Sequence, residues 1–209
     1  MTVDEFETLV LSQTPALKPW TPVTDYSFEA RKPIEEPQAR LIAEHLIPGD
    51  NATVLDYGCG QGHLLRLLGQ YAEQGVSLHG YEPNARVALD AHIRGVTISP
   101  HKDILERTYE LVICREVLEH LTVRQIAKVV PQLCSLSSRF VYVTTRFHTN
   151  PNSLLDVATS DDLDPTHISM LNQDCLRVLF VLGGFKRRKD LEERMDWQQK
   201  GRVLVYERA

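Results

Sequence analysis

The chain has no apolar run approaching the ~18 residues that read as a membrane-crossing helix, and its opening Met1-Thr-Val-Asp-Glu lacks the basic start of a secretory signal. Both absences predict a soluble, cytoplasmic chain. Cysteine is scarce: Cys59, Cys114, Cys134 and Cys175 are the four present, without C-x-x-C spacing or the density of a disulfide scaffold, so they read as reduced thiols. An excess of basic charge is also missing. With 23 Lys and Arg against 28 Asp and Glu the net charge is −5, which gives no general attraction to phosphate backbones, and nucleic acid is not an expected partner. Internal repeats and low-complexity segments are absent. What remains, 43% hydrophobic and 24% charged over 209 residues, is ordinary globular usage with length for one full core. Composition leaves the oligomeric state open.

Periodicity places strands near 53–57, 76–82, 94–98, 110–115 and 139–145. Helical patterns alternate with them near 61–74, 84–92, 116–121, 123–136 and 173–183. This alternation predicts an α/β fold, a mostly parallel Rossmann-like sheet with helices on both faces. Leu64, Leu65, Leu68, Tyr71 and Ala72 recur at i, i+3, i+4 as a core face, with Gly75 the expected stop. Pro131 should kink its helix or mark an early end. Two last strands, near 185–191 and 202–208, flank a polar stretch read as free of helix, which predicts an antiparallel hairpin at the sheet edge.

Two regions fall outside this rhythm. Residues 14–37 carry Pro15, Pro19, Pro22, Pro33 and Pro37 with Trp20, Tyr26 and Phe28, and read as an extended segment that folds back as a lid. Residues 146–171 are long for a crossover and hold Asp156, Asp161, Asp162 and Asp164 with His148 and His167. This insertion leaves a strand at its C-terminal end, where α/β sheets bind ligands, so it is the expected substrate cover.

The densest chemistry lies in residues 54–62, Val-Leu-Asp-Tyr-Gly-Cys-Gly-Gln-Gly: a strand, a tight turn and a helix start. Gly58, Gly60 and Gly62 permit positive φ and close approach of backbone to ligand. Glu82 closes the next strand, where a carboxylate can accept both hydroxyl protons of a ribose. A dinucleotide fingerprint would carry a third glycine where His63 stands, and Asp56 would repel a pyrophosphate. The same carboxylate suits the ammonium of an amino-acid tail.

With these residues the chain resembles the class I S-adenosylmethionine-dependent methyltransferases, whose first motif matches Asp56-Tyr-Gly-Cys-Gly-Gln-Gly. The likeness continues through Tyr81-Glu82-Pro83-Asn84 and Leu111-Val-Ile-Cys-Arg-Glu-Val-Leu-Glu-His-Leu121, the latter similar to the ubiquinone-biosynthesis O-methyltransferase branch. It spans about residues 36 to 208. The resemblance implies a seven-stranded sheet with an antiparallel C-terminal strand. It divides the chain into an N-terminal lid or helical extension, 1–35, and a methyltransferase domain, 36–209, with 146–172 as the substrate-covering insertion. The cofactor contacts implied are Asp56, Gly58, Cys59, Gly60, Gln61, Gly62, Glu82, Pro83, Asp103, Arg115 and Arg31. Asp103 would meet the adenine amino group or be an ordinary loop residue, and Arg31 would clamp the methionine carboxylate or lie exposed beside Lys32.

Glu116, Glu119 and His120 follow the fourth strand, and on a helix their i, i+3 and i+4 spacing aims all three at one spot. In the resembled ubiquinone O-methyltransferases, and in small-RNA terminal 2′-O-methyltransferases, E-x-x-E-H holds a divalent metal with a distant histidine. This implies Mg2+ at Glu116, Glu119, His120 and His167. The alternative is that the two glutamates favour a helix N-terminus and His120 packs. Without a metal, His167 or His148 is the expected general base, with Glu116 beside it. Lys186-Arg-Arg-Lys189 reads as a charged edge strand, with nucleic-acid contact as the competing role, and His63 as a helix-start residue. The leading expectation is methyl transfer to a small-molecule acceptor, at a hydroxyl oxygen. An RNA terminal 2′-O-methyltransferase and an NAD-dependent oxidoreductase are the alternatives.

Overall fold

Two apolar residues in succession on each inner strand, Val54-Leu55 and Leu111-Val112, demand cover on both faces of a sheet, and the chain supplies it. The computed structural model describes residues 2, 5, 27–47, 49–90, 93, 95–147, 155–156 and 166–209. In chain order these form α1 (Phe28–His45), β1 (Thr53–Tyr57), α2 (His63–Tyr71), β2 (Ser77–Tyr81), α3 (Ala85–Asp90), β3 (Val96–Ser99) and β4 (Tyr109–Arg115). Then come α4 (Val123–Leu136), β5 (Ser137–Thr144), β6 (Leu155–Asp156), β7 (Met170–Leu171), α5 (Gln173–Leu182), β8 (Phe185–Arg187), α6 (Lys189–Met195) and β9 (Val203–Arg208).

The main sheet has seven strands in the order β3-β2-β1-β4-β5-β9-β8. β1 to β5 are parallel, while β9 runs antiparallel to both β5 and β8. This is the Rossmann-like α/β arrangement that the alternation predicts. Order reverses between β1 and β4, so the ligand crevice of such a sheet opens beyond the C-terminal ends of these two strands. One face packs Leu55, Val112 and Val141 against Leu133 of α4 and Phe180 of α5. The other packs Val54, Leu111 and Tyr142 against Ile42 of α1 and Leu65 of α2. Among the described residues no helix is long and apolar enough to cross a membrane.

Four local expectations are corrected. The part of the proline-rich segment that is described is helical: Pro33 and Pro37 lie inside α1, which starts at Ser27, whose hydroxyl accepts from the Ala30 amide. Each proline removes a helix hydrogen bond, but burial of Ala39 and Ile42 against α2 and the sheet outweighs that loss. The helix also crosses the 35/36 boundary. The stretch between β8 and β9 contains α6, because Leu191 and Met195 at i, i+4 bury against the sheet and polar neighbours mask that spacing. Helix α2 ends at Tyr71, before Gly75, whereas α4 spans Val123–Leu136 as the periodicity predicts, with Pro131 inside it.

The β1–β2 register sets Asp56 opposite Gly80, which lets the first turn sit on the sheet. A Cβ on Gly80 would lie 2.6 Å from Cys59 Sγ, 2.9 Å from Leu65 Cδ1 and 3.0 Å from Ile98 Cγ1. Gly80→Ala should therefore cost about 1–3 kcal/mol of stability through overpacking, read by urea unfolding. Combining it with Cys59→Ala should recover part of that loss; strictly additive costs would show that the thiol is not the obstruction.

Candidate active site

Beyond β1 the backbone turns through three left-handed glycines, Gly58, Gly60 and Gly62, at φ 80°, 54° and 74°. Gly58 and Cys59 donate their amides to the Tyr81 carbonyl at 2.7 and 3.1 Å, and Gly62 donates to the Cys59 carbonyl at 2.9 Å. The Gly60 amide donates to Glu82 Oε2 at 3.0 Å. These four amides are engaged within the protein. The other Glu82 oxygen accepts from the Asn84 amide at 2.9 Å. Burial pushes the Glu82 carboxyl up and the two amides pull it back. Each oxygen has a lone pair beyond the one its amide uses.

Asp56, on β1 just before the turn, is buried. Desolvation pushes its carboxyl up to about 7, Glu35 and Glu82 add to the rise, and Arg115 opposes it. Glu35 of α1 is fully buried and accepts from Arg31 Nε and from Arg115, each at 3.0 Å. Burial alone would raise Glu35, but Arg115 and then Arg31 hold it below the usual carboxylate range. Arg115 also donates to Gln38 Oε1 at 3.3 Å, and Gln38 donates to the Tyr142 hydroxyl at 2.5 Å. Both arginines expected at the cofactor are thus engaged with Glu35. Glu35 and Gln38 escape the sequence reading, since nothing in the local pattern distinguishes a buried helical glutamate from a solvated one.

The residues after β4 converge without the helix face that the spacing implies. Glu116 takes a left-handed conformation, φ 53°, and its amide donates to the Thr144 carbonyl at 2.8 Å. Only a single 3-10 turn, Leu118–His120, follows. The amides of Ile168 and Ser169 donate to the Glu119 carbonyl at 2.8 and 3.2 Å, which carries the distant His167 to this turn. One donor atom from each of Glu119, His120 and His167 falls within 4.8 Å of the others. Glu116 stays outside that set. Its charge nevertheless acts on Glu119, whose carboxyl is raised first by complete burial and then by Glu116.

Glu119 Oε2 accepts from the Thr145 hydroxyl at 2.8 Å, whereas Oε1 is buried with no hydrogen-bond partner. His120 Nδ1 lies 2.9 Å from the Thr166 hydroxyl and 3.2 Å from the Thr166 carbonyl oxygen, contacts that orient the ring. The His120 and His167 rings are 4.8 Å apart. Past the ends of β4 and β5 a cavity of about 250 Å3 opens, with Arg31, Arg115, Glu116, Arg146, Trp197 and Arg202 in its walls.

The remaining candidates disperse. Gln61, Pro83 and Asp103 are exposed near the turn ends. His63 is the first residue of α2, its ring 5.6 Å from that of Phe28, a packing contact. In the basic run Arg187 binds Glu192, while Arg188 binds Asp190 and Glu207. His148, Trp20, Tyr26, Asp161, Asp162 and Asp164 lie outside the described residues.

Residues 29–189 match the methyltransferase-domain family. The fold is similar to that of magnesium protoporphyrin IX methyltransferase from Synechocystis PCC 6803 with bound SAM, at 16% identity and TM-score 0.59, covering 100% of this chain and 99% of that one. It is also similar to a SAM-dependent methyltransferase from Archaeoglobus fulgidus, at 15% identity and TM-score 0.60, covering 88% and 100%. A third similar structure is the mitomycin 7-O-methyltransferase MmcR, at 14% identity and TM-score 0.61, covering 97% and 60%. No curated protein sequence matches the chain. The family match spans most of the chain and includes the glycine turn, Glu82 and the segment after β4; the chain belongs to the methyltransferase-domain family.

Proposed function

We propose that the enzyme methylates a hydroxyl oxygen of a small-molecule acceptor, in a branch like the ubiquinone-biosynthesis O-methyltransferases. The observation that carries this reading is the convergence of Glu119, His120 and His167 just after the C-terminal end of β4. S-adenosylmethionine supplies an electrophilic methyl on sulfonium. Asp56 is assigned to its ammonium, Glu82 to the ribose hydroxyls, and the Gly58–Gly62 turn with Cys59 and Gln61 to the nucleoside. Pro83 and Asp103 flank the adenine end. The methionine carboxylate goes to Arg31 and Arg115, which Glu35 fixes in place. Orientation of the acceptor against the methyl group then supplies much of the rate.

A hydroxyl must also lose its proton. The donor set fits a divalent cation such as Mg2+: a buried carboxylate oxygen without partner on Glu119, the imidazole of His120, which Thr166 orients, and His167. The 4.8 Å limit on their separation suits ligands about 2.0–2.6 Å from one ion, with Glu116 at its side. Bound there, the ion would act as a Lewis acid that lowers the hydroxyl pKa. Thr145 and Thr166 hold the first carboxylate and imidazole in position. The named substrates of similar structures, a porphyrin and mitomycin, support a small-molecule acceptor. An RNA substrate is disfavoured by the ion pairs that Arg187 and Arg188 make with Glu192, Asp190 and Glu207, and an NAD cofactor by Asp56, whose carboxylate would repel a pyrophosphate.

Exhaustive EDTA treatment should abolish turnover, Mg2+ should restore it, and S-adenosylhomocysteine affinity should stay constant throughout. Turnover that survives the chelator would remove the metal and leave His167 as general base. Cofactor affinity should fall as pH drops through about 7, because protonated Asp56 no longer attracts an ammonium; titration calorimetry of Asp56→Asn should give a flat profile over the same range. The sign for the cofactor-free chain is opposite. An acid whose folded pKa is raised destabilises the fold as pH climbs from about 4 to about 7, so Asp56→Asn should raise the melting temperature most at pH 8. Glu82→Ala should weaken S-adenosylhomocysteine binding by about 1–3 kcal/mol through loss of charged acceptors. An unchanged dissociation constant would remove Glu82 from the ribose.

A further inference from the structure

We infer that the cavity beyond β4 and β5 takes an acceptor bearing an anionic oxygen group, a carboxylate or a phosphate, held by Arg146, Lys200 and Arg202. The inference rests on methyl transfer to an acceptor at this edge of the sheet. Register brings the cations together: Thr144 pairs with Val203, and the Thr145 amide donates to the Arg202 carbonyl at 3.4 Å. Arg146 follows Thr145 and Arg202 precedes Val203 at this end of the two strands, and both line the cavity. Asp196 ties down the turn before them, its carboxylate accepting from the Lys200 and Gly201 amides at 3.1 and 2.6 Å.

The charge balance is strongly local. Arg31, Arg115, Arg146, Lys200 and Arg202 all line the cavity, against Glu116 and Asp196, with Glu35 behind Arg31 and Arg115. Five positive and three negative groups give +2, and the methionine carboxylate assigned to Arg31 and Arg115 leaves +1 for the acceptor, carried by Arg146, Lys200 and Arg202, in a chain whose net charge is −5. A low-dielectric cleft lined by one sign concentrates ligands of the other. Ile34 and Trp197, each 42% exposed, add an apolar wall, so the complementary molecule has an apolar body and an anionic end. Glu116 lines this same cavity and acts electrostatically on Glu119, which links the anion pocket to the hydroxyl chemistry. The cavity, about 250 Å3, falls just below the usual range of small-molecule sites, about 300–1,000 Å3, which favours a compact acceptor.

The test uses the full chain saturated with S-adenosylhomocysteine and three probes of one shape: 4-hydroxyphenylacetate, 4-hydroxyphenyl phosphate and the neutral 4-hydroxyphenylacetamide. Calorimetry should give one or both anions at least about tenfold tighter than the amide, the scale of a charge-assisted hydrogen bond. The carboxylate and phosphate arms tell which oxyanion the pocket prefers. Arg146→Gln with Arg202→Gln should erase the preference, and Lys200→Gln with Arg202→Gln should reduce it, while S-adenosylhomocysteine affinity is retained. Arg202→Lys should restore part of it. Equal binding of anions and amide, or a preference that survives both double variants, would overturn the proposal. Anion preference without O-methyl product, when S-adenosylmethionine replaces the homocysteine, would overturn the hydroxyl chemistry and support the anion pocket alone.

Discussion

The ion pairs that Glu35 makes with Arg31 and Arg115 hold the crevice edge together. They join α1 to the end of β4, at 3.0 Å on each side, in a place where a lone carboxylate would be expelled from the fold. The same Arg115 is the cation that moderates Asp56, and Arg115 and Gln38 reach Tyr142 on β5 through one hydrogen-bond chain. Helix α1 thus completes the sheet's ligand edge, and its buried glutamate links packing to electrostatics.

Three carboxylates are buried along this edge, and each meets the cost of burial differently. Glu35 is stabilised as an anion by two guanidinium groups. Asp56 sits between its two protonation states near neutral pH, ready to ionise when a cation arrives. Glu119 keeps one oxygen on Thr145 and the other without a partner. A buried polar atom left unsatisfied in an otherwise well-paired fold marks a place where something outside the chain completes the set. Two ion pairs account for the charge of Glu35, whereas Asp56 and Glu119 have no cation bonded to them among the described residues.

The sheet was legible because fully buried strands leave continuous apolar runs, and the glycine turn because three left-handed residues in alternation have few other uses. Helix α1 was not, since Pro33 and Pro37 argue locally against a helix that burial of Ala39 and Ile42 secures. Nor was α6, whose Leu191 and Met195 are too sparse to stand out among charges. Local periodicity cannot report a contact made across the sheet. For the same reason the i, i+3, i+4 spacing of Glu116, Glu119 and His120 does not report how Glu119, His120 and His167 meet. Their meeting depends on two amides bound to the Glu119 carbonyl, and not on a helical face. Arg146 and Arg202 join only through the antiparallel register of β5 and β9, 56 positions apart in sequence.

Glu116 occupies a backbone conformation that L-residues with a Cβ adopt at a penalty of roughly 1–2 kcal/mol, and that glycine adopts freely. The fold alone would therefore be better served by glycine at this position. Its left-handed turn is a small store of strain held in place by the Thr144 carbonyl and by the packing of Val117 on Gly58. Selection for thermal robustness, acting without selection for turnover, would drift toward replacing this carboxylate first. Activity and durability pull in opposite directions at one residue, and a stabilised variant found blindly would risk losing the wall between the acceptor pocket and the buried cluster.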